Sequence, residues 1–267
     1  MKVSGKVIVV TGAGSGMGRE LALELLRRGA RVAAVDLNAA ALEGTAALAA
    51  SNGLSLASFT LNITDRAAVE ALVQKVQERF GTVDGLINCA GIIQPFLKLI
   101  DLDLSAIDRV FDVNFRGTLY MIKAFLPVFV RRPVAHIVNI SSMGGFLPVP
   151  GQTAYGSSKA AVKLLTEGLH AELAGGPVHV TVVFPGAIET NILQNSGVTL
   201  PSAAPQSQQA RPYPARSAAR DIIDGMERDA FRVLVGNDAK LLDALYRLSP
   251  KRATLFIASK MKQLLAS

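Results

Sequence analysis

The chain has 267 residues, half of them hydrophobic, with 28 Lys and Arg against 21 Asp and Glu and a formal charge of +7. That length and apolar content suffice for one large core, and the single cysteine, Cys89, excludes an intramolecular disulfide and fits a reducing cytoplasm. Basic residues are scattered without an aromatic–basic motif, which argues for solvated surface rather than nucleic-acid binding.

In chain order, short β-branched apolar runs alternate with longer periodic ones. The runs predict strands at 7–10, 31–35, 56–59, 85–87, 135–140, 179–184 and 232–235. The periodic segments predict helices at 17–28, 39–50, 66–79, 105–130, 153–173 and 217–227. Asp65 and Ser105 read as helix N-caps, and Gly29 closes the first helix. The first apolar run is too short for a signal peptide, and no stretch is long enough to span a bilayer. Strand–helix alternation with right-handed crossovers predicts an α/β fold: a doubly wound parallel sheet of about seven strands with helices on both faces. Residues 188–216, rich in Pro, Ser, Gln and Ala, read as a lid or loop. Residues 1–236 are expected to form one domain, and 237–267 a helical C-terminal extension of it.

The first strand runs into Thr11-Gly12-Ala13-Gly14-Ser15-Gly16-Met17-Gly18, which opens a helix. Glycines there let backbone approach a pyrophosphate, and the helix N-terminus presents unpaired N–H groups to it. The second strand ends at Asp36, about 20 residues on, where a carboxylate accepts from both adenosine ribose hydroxyls and repels a 2′-phosphate. Neither Ser15 nor Leu37 supplies a basic side chain for that phosphate, so NAD is expected over NADP.

Tyr155 and Lys159 stand one helical turn apart in Ala154-Tyr155-Gly156-Ser157-Ser158-Lys159, so both project from one face. An ammonium ~4 Å from a phenol, at an effective dielectric of ~20, favours the phenolate by roughly 4 kcal/mol, against which burial acts. The pair therefore reads as an acid–base group for near-neutral pH.

With these motifs in place, the chain resembles the compact, single-domain branch of the short-chain dehydrogenase/reductases from about Lys6 to Gly236, and that resemblance implies a Rossmann-like fold. The glycine segment has the T-G-x-x-x-G-x-G spacing of that branch. Asn88-Cys89-Ala90-Gly91 is similar to its N-x-A-G element, Asn114 to its helix asparagine, and Ser142 to its catalytic serine. Pro185-Gly186-Ala187-Ile188-Glu189-Thr190 is similar to the element that holds the nicotinamide carboxamide. The resemblance implies that Tyr155 exchanges a proton with the substrate oxygen, Lys159 depresses its pKa and binds the nicotinamide ribose, Ser142 donates to the carbonyl oxygen, and Asn114 positions a relay water. Asn62-Ile63 departs from the family, which usually has an acid where Asn62 stands; its amide oxygen is expected to accept from the adenine amino group. The resemblance also implies a homodimer or homotetramer packed through the helices at 105–130 and 153–173.

Met143, Phe146, Leu147 and residues 92–96 are expected to wall an apolar substrate site with Gln94 and Gln152 as polar contacts, suiting a lipophilic secondary alcohol or ketone. His136, His170 and His179 lack metal-site spacing and read as structural. A non-catalytic dinucleotide-binding regulator of the same fold is the alternative, disfavoured by the complete Ser142, Tyr155 and Lys159 set. The tail carries Leu241, Leu242, Leu245 and Leu248, then, beyond Ser249-Pro250, Leu255, Phe256 and Ile257 flanked by Lys251, Arg252, Lys260 and Lys262. Two readings stand for it: helices covering the substrate cleft, which is expected, or a helix lying on an anionic membrane.

Overall fold

In the computed structural model, which describes residues 1–198 and 212–261, all seven apolar runs pair into one parallel sheet. They are β1 (Val7–Thr11), β2 (Arg31–Asp36), β3 (Ala57–Thr60), β4 (Gly85–Asn88), β5 (Ala135–Ile140), β6 (Val178–Pro185) and β7 (Arg232–Val235), in the order β3-β2-β1-β4-β5-β6-β7. Every residue of β1 is buried, because helices cover both faces and leave no side of the strand for water. The pleat divides them: Ile8 and Val10 join α1 (Gly16–Arg27), α2 (Ala39–Ala50) and α8 (Ala215–Glu227) on one face. Val7 and Val9 join α3 (Arg66–Phe80), α5 (Thr118–Phe129) and α6 (Thr153–Glu172) on the other.

The chain winds outward from β1 through β2 and β3, then returns to place β4 on β1's other side. The reversal splays the following loops apart and opens a crevice beyond the carboxyl ends of β1 and β4. Asp65 caps α3 by accepting from the Ala68 N–H at 3.1 Å, and Gly29, at φ +79°, ends the first helical excursion as expected.

Local departures from the pattern have physical causes. The helix expected over 105–130 is three pieces: α4 (Leu104–Phe111), a π-helical turn (Asp112–Gly117) and α5. Widening at the π turn is stabilised where Thr118 Oγ1 donates to the Asn114 carbonyl at 2.8 Å. Ser105 lies inside α4, whose first turn is closed by the Asp103 carbonyl, and does not cap it. Within the 188–216 segment, α7 (Ile192–Ser196) is a short helix, and Ile188 bridges Tyr213; residues 199–211 of that loop lie outside the described residues. Beyond β7 come α9 (Asn237–Leu248) and α10 (Pro250–Met261), separated by an extended Ser249 before the proline.

Candidate active site

The crevice is a cleft of about 1220 Å³. At its cofactor end Thr11 Oγ1 accepts from the Cys89 and Ala90 N–H groups at 3.0 and 3.1 Å, tying the glycine loop to the end of β4. Gly12 has φ +71°, and a Cβ there would stand 2.9 Å from Ala90 Cα; a Cβ on Gly18 would stand 2.0 Å from the Gly12 carbonyl. The loop therefore folds onto the α1 terminus only with glycine at both positions. Gly16, at φ +50°, faces Thr190, whose Cβ would be 3.2 Å from an added Cβ. Ser15 precedes α1 without capping it, and no acid occupies the first turn, so the helix N–H groups and their positive potential remain for an anion. This cradle, together with Met17, Ile63, Ala90, Gly91, Pro185, Gly186 and Ile188 along the cleft, fits a nicotinamide dinucleotide.

Asp36 ends β2 facing the glycine loop: its carboxylate accepts from the Gly14 and Asn38 N–H groups, each at 2.9 Å. Leu37 beside it is exposed. Arg19, the guanidinium of the loop region, is engaged by the Gly14 carbonyl and by Thr45 Oγ1 at 3.0 Å.

At the chemical end Ser142, Tyr155 and Lys159 line the same cleft. Ser142 follows β5 and accepts from the Gly144 N–H at 3.0 Å. A Cβ on Gly144 would lie 3.5 Å from Ser142 Oγ and 3.6 Å from the Tyr155 ring, which measures how closely the two approach. Gly145 and Gly156 permit that approach: a Cβ at either would meet the Lys159 or Gly144 carbonyl at 2.9 Å, and Ser141 Oγ donates to the Lys159 carbonyl at 2.7 Å. The Lys159 ammonium is buried, donates to the Ile140 carbonyl at 3.0 Å, and is pushed down to about 8 by burial. Burial pushes the Tyr155 phenol above its ordinary value, opposed by its hydrogen bond with Ser142. The downward shift expected from Lys159 is not seen: burial dominates, and the group that opposes it is Ser142. Burial likewise pushes the Cys89 thiol up to about 12, leaving it a protonated lining group rather than a nucleophile.

Asn114 is fully buried in the π turn: its amide accepts from the Ile92 N–H and donates to the Ile92 carbonyl and Ser158 Oγ. A Cβ on Gly91 would lie 3.2 Å from both Asn114 Oδ1 and Lys159 Nζ, which places both groups beside that glycine.

The model of the family described as short chain dehydrogenase matches residues 6–200. The chain belongs to that family. An oxidoreductase named SadH from Mycobacterium tuberculosis is 39% identical over 254 residues, covering 91% of each chain. A short-chain dehydrogenase/reductase from Burkholderia phymatum, solved with NAD, superposes with a TM-score of 0.84 at 28% identity and covers 96% of each chain. One from Burkholderia cenocepacia J2315, solved with NADP, gives 0.81 at 25% identity, covering 96% of this chain and 99% of that one. This short-chain dehydrogenase is thus an oxidoreductase whose fold binds a nicotinamide dinucleotide and whose substrates are small molecules.

Several expected roles need correction. Asn88 is buried outside the cleft lining and donates to Asn139 Oδ1 at 2.8 Å, holding β4 to β5. Asn62 lines the cleft, but its Oδ1 already accepts from the Thr64 N–H and hydroxyl, a local turn that competes with the adenine contact. Met143 and Gln152 line the cleft, whereas Phe146 turns away, edge-on to Phe184 at 5.5 Å and beside Tyr246 at 6.3 Å. Gln94 is not a substrate contact: fully buried, it accepts from the Tyr155 N–H at 3.0 Å and donates to the Gly151 carbonyl, closing the N-terminus of α6 from a distance.

Sequence reasoning missed Asn195, which donates to Ser15 Oγ at 2.8 Å, and Ser196, which accepts from the Ile93 N–H at 2.9 Å. Together they hold α7 between the cofactor loop and the segment after β4, a closure with no local motif to announce it. Asp238 was missed for the same reason. It accepts from the Ala187 N–H at 2.7 Å, and the glycines at 186 and 236 leave room for its carboxylate.

Proposed function

We propose that this short-chain dehydrogenase interconverts a lipophilic secondary alcohol and its ketone, with NAD preferred over NADP. The observation that carries the reading is the convergence of Ser142, Tyr155 and Lys159 on one cleft with the glycine cradle. When bound there, the nicotinamide supplies or accepts the hydride. Tyr155 holds the proton exchanged with the substrate oxygen, and Ser142 donates a hydrogen bond where charge develops on that oxygen. Lys159, cationic below about pH 8, would favour the phenolate as the proton moves, and Asn114 would link it toward solvent through a water. The Thr190 hydroxyl and the Ile188 backbone orient the carboxamide. Asp36 supports NAD because its carboxylate faces the ribose side of the loop while Leu37 is apolar and Arg19 is already engaged.

Ile92, Ile93, Phe96, Met143, Val149 and Met261 make the remaining wall apolar, which supports a lipophilic substrate. Gln152 is the polar exception: its Nε2 donates to the Gln94 carbonyl, and its buried Oε1 has no partner among the described residues. Residues 1–236 act as the cofactor and catalytic domain, and α9–α10 as an extension closing the substrate end. Half-buried Ile107, Phe111, Leu119 and Leu165, with exposed Leu164, support a dimer or tetramer through α4–α5 and α6. A panel of alcohols and ketones, assayed by nicotinamide absorbance with NAD(H) and NADP(H), tests the reading. Turnover of secondary alcohols with NAD is expected; dinucleotide binding without turnover of any panel member would replace the enzyme with a regulator.

A further inference from the structure

The inner face of α10 is claimed by the enzyme. Ala253 packs with Leu147 and Leu242, Ile257 joins them, and Met261 lines the cleft. At 100° per residue, Ala253, Thr254, Ile257, Ala258 and Met261 fall on one side. The opposite side carries Leu255 and Phe256, 60% and 48% exposed, with Arg252 and Ser259 between them and Lys251 and Lys260 at the two margins. Next to it α9 leaves Leu241, Leu245 and Leu248 exposed at one-turn spacing, with Lys240 and Arg247 on the edge of that stripe. A helix that only covered a cleft would keep its apolar residues inward and its outer side polar; these two helices carry large apolar side chains on both.

The charges on this face point to its occupant. From Asn237 to Met261 there are five basic and two acidic side chains. Both acids are held on the protein: Asp238 by the Ala187 N–H, and Asp243, buried, by Arg232 at 3.2 Å and Arg247 at 2.8 Å. Lys240, Lys251, Arg252 and Lys260 form no ion pair among the described residues. A second copy docked two-fold on this face would set these cations against their own likenesses with no acid to receive them. Five exposed Leu and Phe side chains ringed by free cations instead match an anionic bilayer, whose acyl boundary takes the apolar groups while its headgroups take the ammonium and guanidinium groups.

We propose that the outer face of α9 and α10 docks on an anionic phospholipid surface. Leu255 and Phe256 enter the acyl boundary, and Lys240, Lys251, Arg252 and Lys260 sit at the headgroups. Because the inner face of α10 borders the cleft, docking places the substrate end next to the lipid phase, from which an apolar alcohol or ketone can enter. The docking itself does not depend on the catalytic reading.

Sedimentation of the full chain with phosphatidylcholine vesicles, with and without one quarter phosphatidylglycerol, tests it. Binding is expected only with phosphatidylglycerol and should weaken steeply with added salt. Each cation near an anionic surface contributes roughly five-fold, so Lys251→Glu with Arg252→Glu should weaken binding by at least about 25-fold. Leu255→Gln with Phe256→Gln should weaken it too, at low salt where charge alone is strongest. NAD affinity should stay unchanged in both variants, which reports that they fold. Binding equal on neutral and anionic vesicles, no binding to either, or variants that bind like the parent would each overturn the proposal. So would light scattering in which either variant drops to a smaller assembly than the parent, since the face would then be a subunit interface.

Discussion

The two ends of the cleft are built differently. At the cofactor end, the glycine cradle and Asp36 lie within about 25 residues of one another, on a strand, a glycine turn, a helix terminus and the tip of the next strand, with Ala90, Gly91 and Ile188 added by later loops. Much of the binding surface there is backbone, shaped by Gly12, Gly16 and Gly18. The substrate end is assembled from remote pieces: the turn after Ser142, the segment after β4, α7 and Met261 of α10. Its wall is side chains held by long-range contacts such as Gln94 on Tyr155 and Ser196 on Ile93. A local backbone site tolerates little variation in sequence, whereas a wall of packed side chains can change with each loop. On the proposed function, the first end would recognise the cofactor and the second would set the substrate.

Tyr155 stands where the ends meet, so its loss should be the most severe. Tyr155→Phe should lower kcat by ~10²–10⁴-fold while calorimetric affinity for NAD stays near that of the parent. Near-normal turnover would show that the phenol is not the acid–base group. Truncation after Ser249 probes the substrate end alone. Removing α10 exposes Leu147 and Leu242 and takes Met261 from the cleft, so KM for the substrate should rise by roughly ten-fold or more, at ~1.4 kcal/mol per ten-fold, with KM for NAD changing little. Equal changes in both constants would mean that the two ends are not separable.

Asp36→Ala is the counterpart at the cofactor end. Losing a charged acceptor should weaken NAD binding by about ten-fold, since hydrogen bonds to charged groups contribute ~1.5–3 kcal/mol, and NADP should gain or hold steady. Titration of the parent with equal affinity for both cofactors would contradict the assignment. The smallest effect is the pH response of Lys159. Its ammonium, pushed down to about 8 by burial, is present below that pH and lost above it. Hence kcat/KM for NAD, which reports the free enzyme, should decline above pH 8. Stability should move the other way: between pH 8 and the ordinary lysine value of 10.5 the unfolded chain holds the proton and the folded chain does not. This group's contribution to stability therefore rises with pH across that window, by up to ~1.4 kcal/mol per unit. Lys159→Met should flatten both profiles, measured by initial rates and by chemical denaturation.

Strand and helix order, the glycine cradle, Asp36 and the Ser142, Tyr155 and Lys159 set were all legible in the sequence. Each depends on a period, a turn chemistry or a spacing set by neighbours in the chain. The parallel sheet followed too, because strands apolar on both sides require helices on both faces. Only tertiary packing decided the rest. The π turn at Asn114 depends on a helix meeting Ile92, Ser158 and Ile63 from elsewhere in the chain. Phe146 looked like a cleft residue but stands half-buried against Phe184 and Tyr246 of α9. Gln94 and Gln152 looked alike, yet one closes the N-terminus of α6 and the other lines the cleft, its buried oxygen without a partner among the described residues. Apolar periodicity marked the tail as helical, but which of its faces turned inward was settled by Leu147 and the cleft. Local periodicity specifies an element and its faces; where each face ends up depends on partners dozens of residues away, whose contacts are paid for only when the whole chain has folded.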